Sequence, residues 1–196
     1  MGSKPGVLIA DKFDQIGIDG LRGLGCDVHQ DADLGPETIS AALKATGAKV
    51  LVVRSTKVPA SVFEDCGELG LVIRAGAGHD NIDSAAAGVK GIPVCNCPGM
   101  NAVAVAELAF GHMLNLDRRI SLQTKSLREG RWNKKEFSKA KGLKGSNLLV
   151  VGMGSIGMEL IKRAQAFEMN VSAQSRSMHK ETARALGIKM IEYSRD

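Results

Sequence analysis

Leu148-Leu149-Val150-Val151-Gly152-Met153-Gly154-Ser155-Ile156-Gly157 is the stretch that decides the fold. A short apolar run enters Gly-x-Gly-x-x-Gly, and Met158, Ile161, Ala164, Gln165 and Phe167 follow at helical spacing. That order predicts a strand, a tight turn and a helix N-terminus. Each glycine has its own reason to be there. Gly152 permits the turn, Gly154 removes the Cβ that would meet a pyrophosphate, and Gly157 lets helix and strand pack closely. The helix opening at Ser155, Ile156 and Gly157 turns free N–H groups and its dipole towards the phosphates. Such a triplet alone is weak, because turns are rich in glycine. With a strand before it and a helix after it, the reading is a dinucleotide site.

The same signature calls for an acid about 20 residues on, to hold the adenosine ribose hydroxyls. The second strand reads Asn170-Val171-Ser172-Ala173-Gln174, and Ser175-Arg176-Ser177 stands where the carboxylate belongs. A hydroxyl and a guanidinium suit a ribose 2′-phosphate instead, since Arg offers a bidentate fork to phosphate oxygens. NADP(H) is thereby favoured over NAD(H). The plainer alternative is a solvated Arg176 beside a relaxed cofactor site.

The chain has 196 residues, room for one domain or two small ones. Hydrophobic residues make up 44% with only 4% aromatic, and the 23 glycines fit an α/β protein built on small aliphatics. No run approaches the ~18 apolar residues of a membrane span. No signal peptide opens the sequence, and Gly6 stands where acylation of Gly2 would need Ser or Thr. The four cysteines, 26, 66, 95 and 97, lack metal-site spacing, so reduced and packed thiols are expected, and the cytoplasm is the simplest compartment. The net charge of +5 is uneven, with ten Lys and Arg between Arg118 and Lys144. Aromatics are sparse there, Trp132 in the middle and Phe137 beyond it, so an exposed helix end and connecting loop are expected and a nucleic-acid surface is not.

Elsewhere strands alternate with helices. Residues 6–11, 26–29, 48–53, 71–75 and 92–96 read as strands, and 14–24, 38–43, 62–63 and 83–89 as parts of helices. The connections are too long for hairpins, which implies a parallel sheet covered on its faces. Beyond Pro98-Gly99 a helix runs to Arg119, apolar almost all round and therefore expected to be buried, with His112 packed inside. A helix over 180–186 and a strand over 188–191 close the sequence. The expected domains are residues 1–98 and 99–196, and after Gly152 only one half of a doubly wound nucleotide domain is present.

Four ordered blocks resemble the D-2-hydroxyacid dehydrogenase family, and within it the phosphoglycerate dehydrogenase branch. They are Leu51-Val52-Val53-Arg54-Ser55-Thr56-Lys57, Ile73 to Asp83 through Arg74-Ala75-Gly76-Ala77-Gly78-His79, Gly91 to Leu108, and Lys144 to Gly157 with Gly130-Arg131-Trp132 upstream. The resemblance implies a flavodoxin-like substrate domain followed by the first half of a Rossmann domain. It implies a nicotinamide cofactor, NAD or NADP, and oxidation of a small D-2-hydroxy acid. The backbone of Ala75, Gly76, Ala77 and Gly78 would hold the substrate carboxylate. Arg54, Ser55 and Arg74 would lie near its phosphate, and Asn101 near a cleft at the domain junction. A homodimer through the helix over 101–119 is likewise a family expectation.

The family's catalytic Arg, His and Glu match no position of this sequence, so no catalytic residue is assigned, and His79 is not taken as the base. The sequence therefore reads as part of an NAD(P)-dependent dehydrogenase, truncated and inactive alone. The alternative is a non-catalytic nucleotide- or metabolite-binding module.

Overall fold

The computed structural model describes residues 4–176 and 179–192; Ser177, the Gly2 of the acylation pattern and Asp196 lie outside them. The chain divides into two compact units, Met1–Met100 and Asn101–Asp196.

In the first unit five parallel strands run β1 (Gly6–Ile9), β2 (Asp27–Gln30), β3 (Val50–Val53), β4 (Leu71–Arg74) and β5 (Val94–Cys95). Their order in the sheet is β2-β1-β3-β4-β5, the flavodoxin-like winding, with the direction of winding reversing between β1 and β3. The helices are α1 (Gln15–Gly23), α2 (Ile39–Thr46), α3 (Ala60–Glu64) and α4 (Ser84–Val89). Side chains alternate across the sheet. Leu8, Leu51, Val53 and Val72 face a core completed by Ile39, Leu43, Val62 and Phe63, whereas Val7, Ile9 and Val52 face Ile18 of α1. Burial on both faces explains why β3 reads as an unbroken apolar run.

Local chemistry fixes the helix ends. The Asp14 carboxylate accepts from the Ile16 N–H and that of Asp83 from the Ala86 N–H, while Gly47 closes α2 with φ 62°. Cys95 departs from the packed thiol expected of it. It is exposed, because β5 is the outermost strand and only two residues long.

The second unit begins with α5 (Ala102–Arg118), then α6 (Ile120–Arg128) and α7 (Lys134–Phe137). Past the helix end, the basic segment thus carries two further helices in place of the expected connecting loop. Arg119 separates α5 from α6 in the left-handed region at φ 53°, with its guanidinium 2.7 Å from Glu136 and over the Phe137 ring. Three parallel strands follow in the order β6-β7-β8: β6 (Asn147–Val151), β7 (Asn170–Gln174) and β8 (Lys189–Met190), joined by α8 (Ser155–Ala166) and α9 (Lys180–Ala185).

Helix α5 is not buried all round. Ala102, Ala106 and Phe110 form its buried stripe, at a spacing of four, while Leu108 and Leu116 are exposed. His112 falls off that stripe and is exposed, which corrects the core position expected for it. Within the unit α5 packs on α8, with the Phe110 and Phe167 rings 4.6 Å apart. Arg163 of α8 ties the pair, reaching Glu107 at 2.9 Å and Glu159 at 2.8 Å. Among the described residues no helix is long and apolar enough to cross a membrane.

Candidate functional site

Both units present their candidate residues at the carboxyl ends of parallel strands, where open α/β sheets take ligands. In the second unit, β6 ends at Val151 and Gly152 follows with φ 99°, a conformation that side chains other than glycine rarely adopt. Its N–H donates to the Gln174 carbonyl at 2.8 Å, binding the turn to the end of β7. Gly157 is buried in the first turn of α8, and a Cβ there would drive into the Gly152 carbonyl oxygen. Two of the three glycines are therefore explained by the protein itself, Gly152 by its backbone conformation and Gly157 by packing.

Gly154 is not. Its φ is −76°, open to any residue, and a Cβ would meet no protein atom within 4 Å. It caps α8, twelve residues long, without a side-chain hydrogen bond and with no acid in the first turn. A bare helix N-terminus with clear space before it fits a dinucleotide pyrophosphate. Ser155 and Ile156 are exposed beside it. The parallel register pairs Val151 with Gln174, so Ser175, half-buried, and Arg176, exposed, leave β7 next to the glycine turn. Glycine turn and Ser175-Arg176 thus share one end of one sheet.

In the first unit two loops carry the candidates. Arg54 and Ser55 follow β3 and are exposed. The Asp11 carboxylate, just past β1, accepts from three consecutive N–H groups there: Arg54 at 2.6 Å, Ser55 at 3.2 Å and Thr56 at 3.2 Å. The Thr56 hydroxyl donates to the Ala10 carbonyl at 2.7 Å, and the Asn81 amide donates to the Thr56 carbonyl at 2.8 Å. Sequence reasoning passed over Asp11 and Asn81, since each is an ordinary loop residue until the fold brings it to its partners.

The second loop starts at Arg74, the last residue of β4. Its guanidinium lies across Gly76, where any Cβ would collide with it, and its Nε is buried with no acceptor among the described residues. Of the four amides expected to face a carboxylate, Ala75 donates to the Val53 carbonyl and Gly76 to that of Arg74, both at 2.8 Å. The amides of Ala77 and Gly78 have no backbone acceptor among the described residues. The loop is held from the far side as well: the Cys97 N–H donates to the Gly76 carbonyl at 2.9 Å and the Asn96 amide to the Ala77 carbonyl at 2.5 Å. Asn101 belongs to the second unit, exposed ahead of α5 and making no side-chain cap there.

His79 follows this loop and is exposed, His179 precedes α9, and His29 lies 3.4 Å from Asp27 on the outer strand β2. Among the described residues no cluster of His, Cys, Asp and Glu could hold a metal ion.

Residues 7–192 match the family described as D-isomer specific 2-hydroxyacid dehydrogenase, catalytic domain. The chain is 40% identical over 187 residues to D-3-phosphoglycerate dehydrogenase of Methanocaldococcus jannaschii, covering 95% of this chain and 35% of that protein. It is 51% identical over 125 residues to hydroxypyruvate reductase of Thermotoga maritima, covering 63% of this chain and 40% of that one. In structure it resembles an acyclic imino acid reductase in complex with NADPH and D-arginine, with a TM-score of 0.82 at 23% identity over 95% of this chain and 60% of the other. The last likeness is one of fold. The chain spans 35% and 40% of the length of these two curated relatives.

Proposed function

The chain belongs to the D-isomer specific 2-hydroxyacid dehydrogenases, and from that premise we propose that it forms the substrate- and dinucleotide-holding parts of an NAD(P)-dependent oxidoreductase. The carrying observation is Gly154, a glycine that neither backbone conformation nor protein packing requires, set at the N-terminus of α8. Space without a protein occupant at that point suits the pyrophosphate. A bound nicotinamide dinucleotide would exchange a hydride with C2 of a small D-hydroxy or keto acid.

The role of the protein is to hold and orient. Gly152, Gly154, Ser155, Ile156 and Gly157 would cradle the pyrophosphate, and Ser175 with Arg176 would meet the ribose, where the guanidinium favours NADPH. Residues 1–98 would serve the acid and 99–196 the cofactor. Ala77 and Gly78 would donate to the carboxylate, with Ala75 and Gly76 shaping their loop, and Arg54, Ser55 and Arg74 would bind a phosphate on the substrate. The buried Arg74 Nε supports an anion there, because a donor without an acceptor in the interior is costly. Asn101 would assist at the substrate. The preferred substrate is a phosphorylated one, of the 3-phosphoglycerate kind. A homodimer and a cytoplasmic setting complete the proposal.

A second reading is a binding module without turnover. It is favoured by the histidines: among the described residues the one His–carboxylate approach is His29 to Asp27, at the sheet edge and away from both candidate loops. We propose accordingly that the 196-residue chain binds dinucleotide but does not turn over alone. The test is calorimetric titration of the purified chain with NADH and NADPH, alongside absorbance at 340 nm with 3-phosphohydroxypyruvate. Binding without oxidation is the expected result. Oxidation would overturn the assignment of no catalytic residue, and absence of binding would overturn the dinucleotide site.

A further inference from the structure

We propose that Asp11 is the positioning residue for the anion-recognising loop Arg54–Thr56, a role that rests on the phosphate reading of Arg54 and Ser55. Three consecutive backbone N–H groups converge on one carboxylate, and Oδ2 accepts from all three, at 2.6, 3.2 and 3.2 Å. Successive amides curled in this way form a concave nest that ordinarily attracts an external anion. Here a side chain of the protein fills it.

Two consequences follow from that geometry. The amides of 54–56 point inwards, at Asp11, so the loop can meet an anionic ligand only through the Arg54 guanidinium and the Ser55 hydroxyl. Those two side chains also inherit a fixed base. Asp11 sits 43 residues from Arg54 in sequence, and its anchor spans β1 and β3, the two strands between which the sheet reverses. The turn is clamped again from below by the Thr56 hydroxyl on Ala10 and by the Asn81 amide on Thr56. Charge-assisted bonds to a carboxylate are stronger than neutral ones, so Asp11 is the principal member of this set. An exposed arginine on a loose turn would lose side-chain and backbone freedom on binding; one on a clamped turn loses less.

The experiment compares the affinities of the full chain for 3-phosphoglycerate and for D-glycerate, which differ only in the phosphate. Wild type, D11N, D11A and R54A are titrated with both. Wild type should prefer the phosphorylated acid. D11A should lower affinity for 3-phosphoglycerate about tenfold while D-glycerate affinity moves less than about twofold. D11N keeps one acceptor oxygen and should fall between. Loss of both affinities together would mean that Asp11 merely supports the fold and would overturn the proposal. If R54A abolishes the preference and neither Asp11 variant reduces it, Asp11 alone is wrongly assigned. If wild type shows no preference, or R54A retains it, the phosphate reading falls and the proposal with it. Amide hydrogen exchange gives a check independent of ligand. The Arg54, Ser55 and Thr56 amides should exchange at least about tenfold faster in D11N than in wild type, and unchanged exchange would overturn the clamp.

Discussion

Val50-Leu51-Val52-Val53 of β3 and Leu148-Leu149-Val150-Val151 of β6 are nearly the same sequence, yet they live differently. In β3, Leu51 and Val53 are fully buried on one face and Val52 is buried on the other. In β6, Val150 is buried and Leu148 half-buried, whereas Leu149 is 51% and Val151 74% exposed. The first sheet has a core on each face and the second has its core on one. An unbroken apolar run states that a strand can be covered on both faces. Whether it is covered depends on what the rest of the fold brings.

The comparison breaks most easily at its centre. Leu51→Ala should destabilise the first unit by about 2–5 kcal/mol, because it leaves a cavity in a closed core. Leu149→Ala removes a side chain already half in water and should cost less than about 1 kcal/mol. Urea unfolding of the two variants measures both, and equal losses would mean that the outer face of β6 is covered in solution.

The glycine turn sharpens the contrast within the second unit. Gly157→Ala forces a methyl into the Gly152 carbonyl and should cost about 1–3 kcal/mol along with dinucleotide binding. Gly154→Ala meets no protein atom, so the melting temperature should hold while NADPH or NADH affinity drops about tenfold or more. A Gly154→Ala chain that binds dinucleotide normally would remove the pyrophosphate from this turn.

The exposed face of β6 makes a third demand. Apolar side chains on an outer strand favour association. Replacing Leu149 and Val151 by Thr together should shift sedimentation towards the monomer at high concentration. Unchanged association would place the contact elsewhere, the exposed Leu108 and Leu116 of α5 being the next place to look.

The smallest effect is electrostatic. Hydrogen bonds from Lys162 and Arg163 hold the Glu159 carboxyl below its ordinary range, and bonds to Glu107 and Glu159 raise Arg163. A carboxyl depressed in the folded state stabilises at pH above its unfolded value, and that contribution fades as pH falls through the lowered one. Thermal melts of the second unit should therefore weaken below about pH 4, with a shallower slope in Glu159→Gln. Both side chains keep contact with solvent, so the difference is small. An identical acid slope in the variant would show that the pair contributes nothing.

Much of this was legible in the sequence. Alternating apolar runs and glycine punctuation gave the parallel sheets because periodicity and turn chemistry are local. The dinucleotide turn was legible for the same reason: ten contiguous residues contain its strand, turn and helix start. Past its helix end the basic segment reads as a connecting loop because Ile120, Leu122 and Leu127 are sparse among charges, and the helices there depend on tertiary neighbours such as the Arg119–Glu136 pair. The helix over 101–119 was read as buried all round since its composition carries no sign of how many partners surround it.

What the sequence determined by itself is the class of fold, the order of elements and the glycine turn, all set by residues within a few positions of one another. Tertiary structure alone decided that Asp11 gathers the amides of Arg54 to Thr56, that Arg163 reaches Glu107, and that β6 keeps an open face. The physical reason is the same in each case. A carboxylate, a guanidinium or an apolar face acquires its energy from the group opposite it, and that group is chosen by the winding of the sheet rather than by proximity along the chain.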